Sequence, residues 1–399
     1  MAVTCQSRSW RFISTDLDSN VTTVLDRVAT QRRVEPMLNV PNWLSCVVPS
    51  DSPLVYIPYP TSVDEPYVAE GVRLMWAFRE ETGPGSIDAQ FYNPRAAGVC
   101  LQVEDTAQQD NARTKVVAWD PWKLAYLRPA QDPSGNLPAP AGSWDGLYPA
   151  GTTADEIIVD QLESTIANNG SIHLDVSSGT IETTSALTDG FEVTQGMSVG
   201  DVMTAMVNTA TCDIVLTPIW DPVTRPGITH ELNIYVQAGS DMADNIFGWD
   251  KAPHSLIQLS RSIDGTQRAN KVKLYAGQGG SAGAAALETD ATSVTKYGEY
   301  WAQQFLPGSV IVDAVQDMAS YVLGLRKDGR TVIQMSPTPR RSPCPFVDYN
   351  LGDRVPVYAG GTQFRQEMFG YVRIYGFPID ISDDALETVT GMVLLPQAA

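Results

Sequence analysis

Residues 347–359 read Val-Asp-Tyr-Asn-Leu-Gly-Asp-Arg-Val-Pro-Val-Tyr-Ala. Asn350, Leu351, Gly352 and Asp353 carry turn chemistry, because Gly352 takes a positive φ without steric cost and Asp353 can bond nearby backbone. Beyond the turn, Val355 and Val357 alternate with Pro356 and Tyr358, the two-residue period of a half-buried strand. Pro356 has no N–H to give to a ladder, which places the strand at an edge or on a bulge. Strand patterns follow at 368–375 and 387–395, so the stretch belongs to an antiparallel sheet.

Working backwards, the Pro-rich residues 337–345 lead into it from a strand at 331–336, which Asp328-Gly329 turns out of a helix over 310–325. That helix is expected to be buried through Val312, Val315, Met318, Val322 and Leu323. Further upstream, strand patterns occupy 231–237, 255–260 and 271–276. Residues 277–286, Gly-Gln-Gly-Gly-Ser-Ala-Gly-Ala-Ala-Ala, follow a strand as a phosphate-binding loop would. They lack a Gly-Lys-Ser/Thr ending and an exact G-x-G-x-x-G, so they read as a flexible hinge.

The first third is nearly all β. Strands are expected at 10–14, 21–25, 72–79, 87–92, 99–104 and 115–119, with a Gly/Pro hairpin at 80–85 and a polar loop at 105–113. Short strands at this spacing suggest a barrel or sandwich. Trp119-Asp-Pro-Trp-Lys-Leu-Ala-Tyr126 then changes the pattern: Asp120 is an N-cap, Pro121 fits the first helical position, and Trp119 and Trp122 seal one core against the next. Residues 128–153 are Pro/Gly-rich and read as a long exposed loop. A helix over 154–168 is capped by Thr152 or Thr153, carries Ile158, Leu162 and Ile166 on one stripe and stops at Gly170. A second helix starts at Ser198, and a strand at 212–219 follows.

The chain has 399 residues and a formal charge of −19, from 27 Lys and Arg against 46 Asp and Glu. Its length allows several domains, and 43% hydrophobic with 18% charged residues describes a folded protein. An acidic surface repels phosphate, which excludes tight nucleic-acid binding. No run of about 18 apolar residues occurs, so no membrane insertion by this chain is expected. The N-terminus shows no apolar signal core, so export by a signal peptide is not expected. Cys5, Cys46, Cys100, Cys212 and Cys344 are dispersed without a Cys-x-x-C pair, which reads as free thiols made in a reducing cytoplasm. His230-Glu231 opens like a zincin helix, but Asn233 and Ile234 stand where the second His should be, so neither metal nor cofactor is expected.

The order of parts is β domain, α+β insert, and a second β domain interrupted by a helical insert. With Trp10-Arg-Phe and Thr15-Asp16-Leu-Asp18, Trp119 to Tyr126, Thr295-Lys-Tyr297-Gly298 and Asn350 to Val355, the chain resembles a phage tail-tip hub protein. This is the minor tail protein of actinobacterial siphophages, similar in fold to the baseplate hub of contractile tails. The resemblance implies a mainly β chain with two tube-forming antiparallel β-barrels and two smaller inserted domains. Residues 1–120 would form the first barrel, 121–226 the α+β insert, 227–290 with 331–399 the second barrel, and 291–330 the helical insert. It further implies a homotrimer below the tail-tube or distal-tail ring, around the tape measure C-terminus and beside other tail-tip or receptor-binding proteins. Such a ring would sit at the virion tail tip, assembled in the host cytoplasm, with DNA only in transit through its channel.

Two other classes compete. Cell-wall hydrolysis would need a catalytic arrangement, but three dispersed histidines support none, and Glu80-Glu81 and Asp383-Asp384 are pairs expected by chance among 46 acids. Host carbohydrate binding would use tryptophans such as Trp144 in the 128–153 loop. A ring with an axial channel separates the hub from both.

Overall fold

The structure is a computed structural model that describes residues 10–18, 21–25, 29–49, 73–81, 91–108, 111–138, 142–187, 190–209, 212–249, 255–264, 268–276, 285–306, 312–327, 330–337, 343–360, 368–382 and 387–396. Two large sheets organise it. The first has nine strands in the spatial order Val21–Val24, Trp10–Thr15, Leu74–Glu81, Phe91–Gln108, Asn111–Trp119, Trp43–Pro49, Thr30–Glu35, Ile379–Ile381 and Glu387–Val389. The second has six, in the order Phe247–Gly248, Arg354–Ala359, Met368–Gly376, Met392–Pro396, Arg330–Pro337 and Leu256–Asp264. Within these two sheets the described pairings are antiparallel except the two-residue pairing of Phe247 and Gly248 with Val357 and Tyr358. The sheets curl into a half-barrel and a nearly closed barrel, as expected of a mainly β chain with α+β inserts.

One apolar core serves both sheets, with Phe12, Leu44 and Met75 from the first packed among Val355, Val357 and Ile374 from the second. In the strand Leu74–Glu81, residues 74–78 are apolar without interruption. Met75 and Ala77 face this shared core, while Leu74, Trp76 and Phe78 face a separate cluster on the other side. A strand buried on both faces reads as a continuous hydrophobic run. Trp220 of the α+β insert closes that second cluster, meeting Trp76 at 4.8 Å and Phe78 at 5.4 Å, both edge-on.

The residues expected to form a polar loop at 105–113 are instead two paired arms, with Asp105 opposite Thr114 and Thr106 opposite Arg113. Solvated polar strand ends look like loop when read alone; here cross-strand pairing decides. Phe91–Gln108 runs 18 residues. Register shifts at Ala77/Phe78 and at Cys100/Gln102 leave Arg95 and Leu101 as extra residues, which bend the strand with the sheet. The strands Thr30–Glu35 and Trp43–Pro49 carry no clean alternation and escape a reading by period. Residues 82–85 of the expected hairpin turn lie outside the described residues, as do 277–284 of the Gly-rich loop.

The α+β insert holds three helices: α1, Pro121–Ala125; α2, Ala154–Asn169; and α3, Val199–Thr209. Thr153 is the N-cap residue of α2, its N–H donating to Glu156 Oε2 at 2.9 Å, and Gly170 ends the helix at φ 81°. Ile157, Ile158 and Leu162 are buried against Val202, Met203 and Met206 of α3, so the α3 methionines are core. Asp213–Pro218, His230–Tyr235 and Leu174–Asp175 form its sheet. Trp144 meets Tyr148 edge-on at 6.0 Å and packs against this core.

A smaller unit contains α4, Ala291–Tyr297, and α5, Val312–Arg326, with the strands Lys271–Ala276, Ala285–Thr289 and Trp301–Leu306. Val315, Val322 and Leu323 of α5 are buried on Val272 and Leu274; the side chains of Val312 and Met318 lie outside the described residues. The region expected to be helical over 291–330 therefore includes a strand, and its core begins at Ala269. The strands Ile379–Ile381 and Glu387–Val389, expected in the second barrel, pair instead within the first sheet, through Ile379 opposite Val34 and Ile381 opposite Arg32. Cys46, Cys100 and Cys212 are buried free thiols as expected, but Cys344 is disulfide-bonded, which corrects the all-thiol reading.

Candidate functional site

The described residues hold no group of three His, Cys, Asp or Glu side chains placed to bind a metal. What the fold does concentrate is a set of buried polar joints between its parts. The first closes the nine-stranded sheet. Arg79 is fully buried beside Trp10 on the neighbouring strand, and its Nε donates to Oε2 of Glu387 at 3.0 Å. Arg79 Nη2 also pairs with Oε1 of Glu387, and its Nη1 donates to the Pro345 carbonyl at 3.0 Å. Trp10 Nε1 donates to the same Glu387 carboxylate at 3.0 Å. Glu387 stands on the last strand of the spatial order, whereas Trp10 and Arg79 stand near its start. The two ends of the sheet are thus joined by side chains, which brings the barrel close to closure without a backbone ladder.

The second joint ties three parts together. Asp213 opens the strand Asp213–Pro218 of the α+β insert, and Arg373 lies in the six-stranded sheet. Arg373 Nη1 donates to Asp213 Oδ1 at 3.3 Å and its Nη2 pairs with Oδ2. Asn39 of the first β region adds its Nδ2 to Asp213 Oδ1 at 2.8 Å and accepts from the Ile214 N–H at 2.9 Å. The Arg373 guanidinium also donates to the carbonyls of Gly352 at 3.1 Å and Ala238 at 2.8 Å. A buried pair of this kind keeps its charges because further hydrogen bonds satisfy most of its remaining donors and lone pairs.

The 350–353 turn is built into this joint. Gly352 has φ 86°, and a Cβ there would sit 2.5 Å from the Ala238 carbonyl oxygen. Gly239, at φ 89°, faces it back to back, where a Cβ would fall 2.1 Å from the Gly352 carbonyl carbon. Asp353 is buried; its Oδ1 accepts from the Ser240 N–H and its Oδ2 from the Asn350 N–H, each at 2.7 Å. Burial raises its carboxyl above the usual range, and those two bonds work against the rise. Val355 and Val357 follow as fully buried core residues, while Leu351 is half-buried against that core. Pro356 faces Tyr371 on one side, and only the two-residue strand Phe247–Gly248 lies beyond it.

A third joint leads into the insert. Asp120 is the N-cap of α1 and accepts from the Lys123 N–H at 3.3 Å and the Asn42 N–H at 2.8 Å. Complete burial pushes its carboxyl up to about 7 despite those bonds. Pro121 sits at the first turn, Trp122 is buried in the insert core, and Trp119 tilts against Trp43 at 6.4 Å. Asp16 accepts from the Asp18 N–H in a turn that abuts Gly227, where a Cβ would fall 2.4 Å from the Leu17 carbonyl oxygen. Tyr297 and Gly298 lie apart from these joints, Gly298 ending α4 at φ 82° and Tyr297 stacked under Arg268 at 3.7 Å.

The joints frame a cleft of about 530 Å³, walled by Trp43, Pro94, Tyr235, Phe346 and Leu351 and reached by His230. Arg373, Asp213, Arg79, Glu387 and Asn39 were not singled out in the sequence. Nothing local marks them, since each partner lies scores to hundreds of residues away.

No protein-family model matches the chain, and no curated protein sequence matches it. Solved structures do. The 43 kDa tail protein of prophage MuSo2 from Shewanella oneidensis superposes with a TM-score of 0.57 at 11% identity, covering 97% of this chain and 98% of that one. A tail protein from Neisseria meningitidis MC58 gives 0.57 at 10% identity, covering 98% and 97%. The chain has a phage-tail-protein fold. The match runs along nearly the whole length of both chains.

Proposed function

We propose that the chain is a structural, non-enzymatic hub of a phage tail, three copies forming a ring at the tail tip. The observation that carries this reading is the pairing of two curled antiparallel sheets on one core in a single chain, in a fold shared end to end with two tail proteins. A ring of three copies offers six sheets to a sixfold tail-tube or distal-tail ring on one side and a threefold tip on the other. A heterologous interface that rotates by one third of a turn closes such a ring. The distal-tail ring, the tape measure C-terminus and other tail-tip or receptor-binding proteins are the partners that this position provides.

The net charge of −19 supports a channel that passes the genome, because an acidic wall does not adsorb a polyanion in transit. Buried ion pairs at the joints suit a part that must hold its shape while neighbouring rings bind it. Copy number tests the reading: quantitative mass spectrometry of purified particles should find half as many copies of this chain as of one sixfold tail ring. A one-to-one ratio would contradict it.

A further inference from the structure

We propose that the open face of the three-stranded sheet in the small unit, around Lys271, Lys273 and Trp301, docks onto the acidic α+β insert of the next copy of this chain. The inference rests on the ring proposed above and names the surfaces that close it.

The strand Lys271–Ala276 alternates cleanly. Val272 and Leu274 are buried under α5, so Lys271, Lys273 and Tyr275 lie on the opposite face. Cross-strand register extends that face: Lys271 stands between Thr289 and Trp301, and Lys273 between Leu287 and Gln303. Trp301 is 48% exposed and Leu287 52% exposed, and no other described element covers them. The cations and rings interleave. Lys271 Nζ lies 4.9 Å from the Trp301 ring, Lys273 Nζ lies 4.9 Å from Tyr275, and Arg268 stacks on Tyr297 at the adjoining end. Glu299 is the acid within this strip, paired with Lys271 at 2.6 Å.

Charge identifies the partner. Residues 268–327 carry six Lys and Arg against five Asp and Glu, on a chain whose total is −19. Residues 121–226 carry three against thirteen, with Asp145, Glu156, Glu163 and Glu182 exposed. The small unit as a whole is near neutral, so its complement to the acidic insert is the local face that carries Lys271 and Lys273, and rings need two different complementary patches per subunit. Among the described residues no ion pair joins the two inserts within one chain. Helix α3 of the acidic insert reaches the small unit beside α5, on the covered side of the sheet, and the cationic face looks the other way. The sheet also leaves the strands Ala285–Thr289 and Trp301–Leu306 as open edges, a feature that assembly commonly covers.

The test is self-association of the full chain in low salt by sedimentation, with melting temperature as a folding control. Wild type should associate, and high salt should reverse it. Lys271→Glu with Lys273→Glu should weaken association by about tenfold or more, because like charges then meet across the contact. Trp301→Ala should weaken it without altering its salt dependence. The decisive arm is the charge swap: Glu156→Lys with Glu163→Lys should restore association when mixed with the lysine-reversed chain, and each variant alone should associate about tenfold or more weakly than wild type. No association of folded wild type in low salt overturns the proposal, as does swap mixing without rescue. Binding of an anionic polysaccharide or single-stranded oligonucleotide by this face, with the chain remaining monomeric, overturns it as well. A threefold tail-tip ring in which this face meets solvent would leave the hub reading standing and remove this contact alone.

Discussion

Arg79 and Glu387, 308 residues apart in the chain, form a buried ion pair that joins the two ends of the nine-stranded sheet. Trp10 donates to the same carboxylate, so three strands meet at one buried charge. Closure of this barrel is a side-chain event. It requires the late strand Glu387–Val389 to have returned to the strands laid down first.

Glu387→Ala should therefore be expensive. It strands a guanidinium that is fully buried, a change that costs about 3–5 kcal/mol when one partner of a buried pair is removed. Trp10→Phe deletes one donor to that carboxylate and should cost about 1 kcal/mol. Denaturant unfolding of both variants checks the ordering; equal midpoints would show that the pair does not hold the barrel.

Gly352→Ala should cost about 3 kcal/mol or more, since positive φ and backbone crowding add together. Gly151 also has positive φ, at 92°, but open space around its Cβ position, so Gly151→Ala should cost about 1 kcal/mol. Thermal melts of the two variants separate the steric part from the conformational part.

His230 gives a pH dependence of known sign. It is buried, with its Nδ1 within 2.9 Å of Thr229 Oγ1, and burial with the nearby His173 lowers it from 6.5 to about 3. Its folded pKa lies below its unfolded one, so the unfolded chain takes up a proton that the folded chain refuses. This contribution is complete above about pH 6.5 and is lost as pH falls from there towards about 3. Between pH 6.5 and 5 the loss should reach about 1–2 kcal/mol. In His230→Asn that loss should disappear, so wild type and variant converge as pH is lowered. Parallel stability curves would contradict it. Asp120 titrates with the opposite sign in both proteins and cancels from the difference.

Duplex DNA should not be retained at physiological salt. The chain carries −19, and the cations of the small unit are interleaved with Glu299 rather than clustered alone. Micromolar, salt-dependent retention in a filter-binding or anisotropy measurement would contradict an acidic channel wall.

The parts of this fold legible in sequence are those set by local rules. Gly352, Val355 and Val357 announced a turn and a strand through φ and alternation, and Asp120-Pro121 announced a helix start. Thr153 and Gly170 bracketed α2. The rest depends on distance along the chain. Thr30–Glu35 gains its strand character from Trp43–Pro49 and Ile379–Ile381 on either side, and nothing inside Thr-Gln-Arg-Arg-Val-Glu requires it. Asp105 to Arg113 reads as loop because both arms are polar, until register pairs them. The joints were hidden for the same reason. Arg373 is one of 27 cations and Asp213 one of 46 acids until the fold brings them together.

Averaging of the assembled tail tip by electron cryo-microscopy, without imposed symmetry, tests the central claim most directly. The account predicts three copies of this chain around the axis, each contributing two sheets to a ring of pseudo-sixfold symmetry with an open or plugged axial channel. Six copies in a true sixfold ring, or copies placed away from the axis, would contradict it.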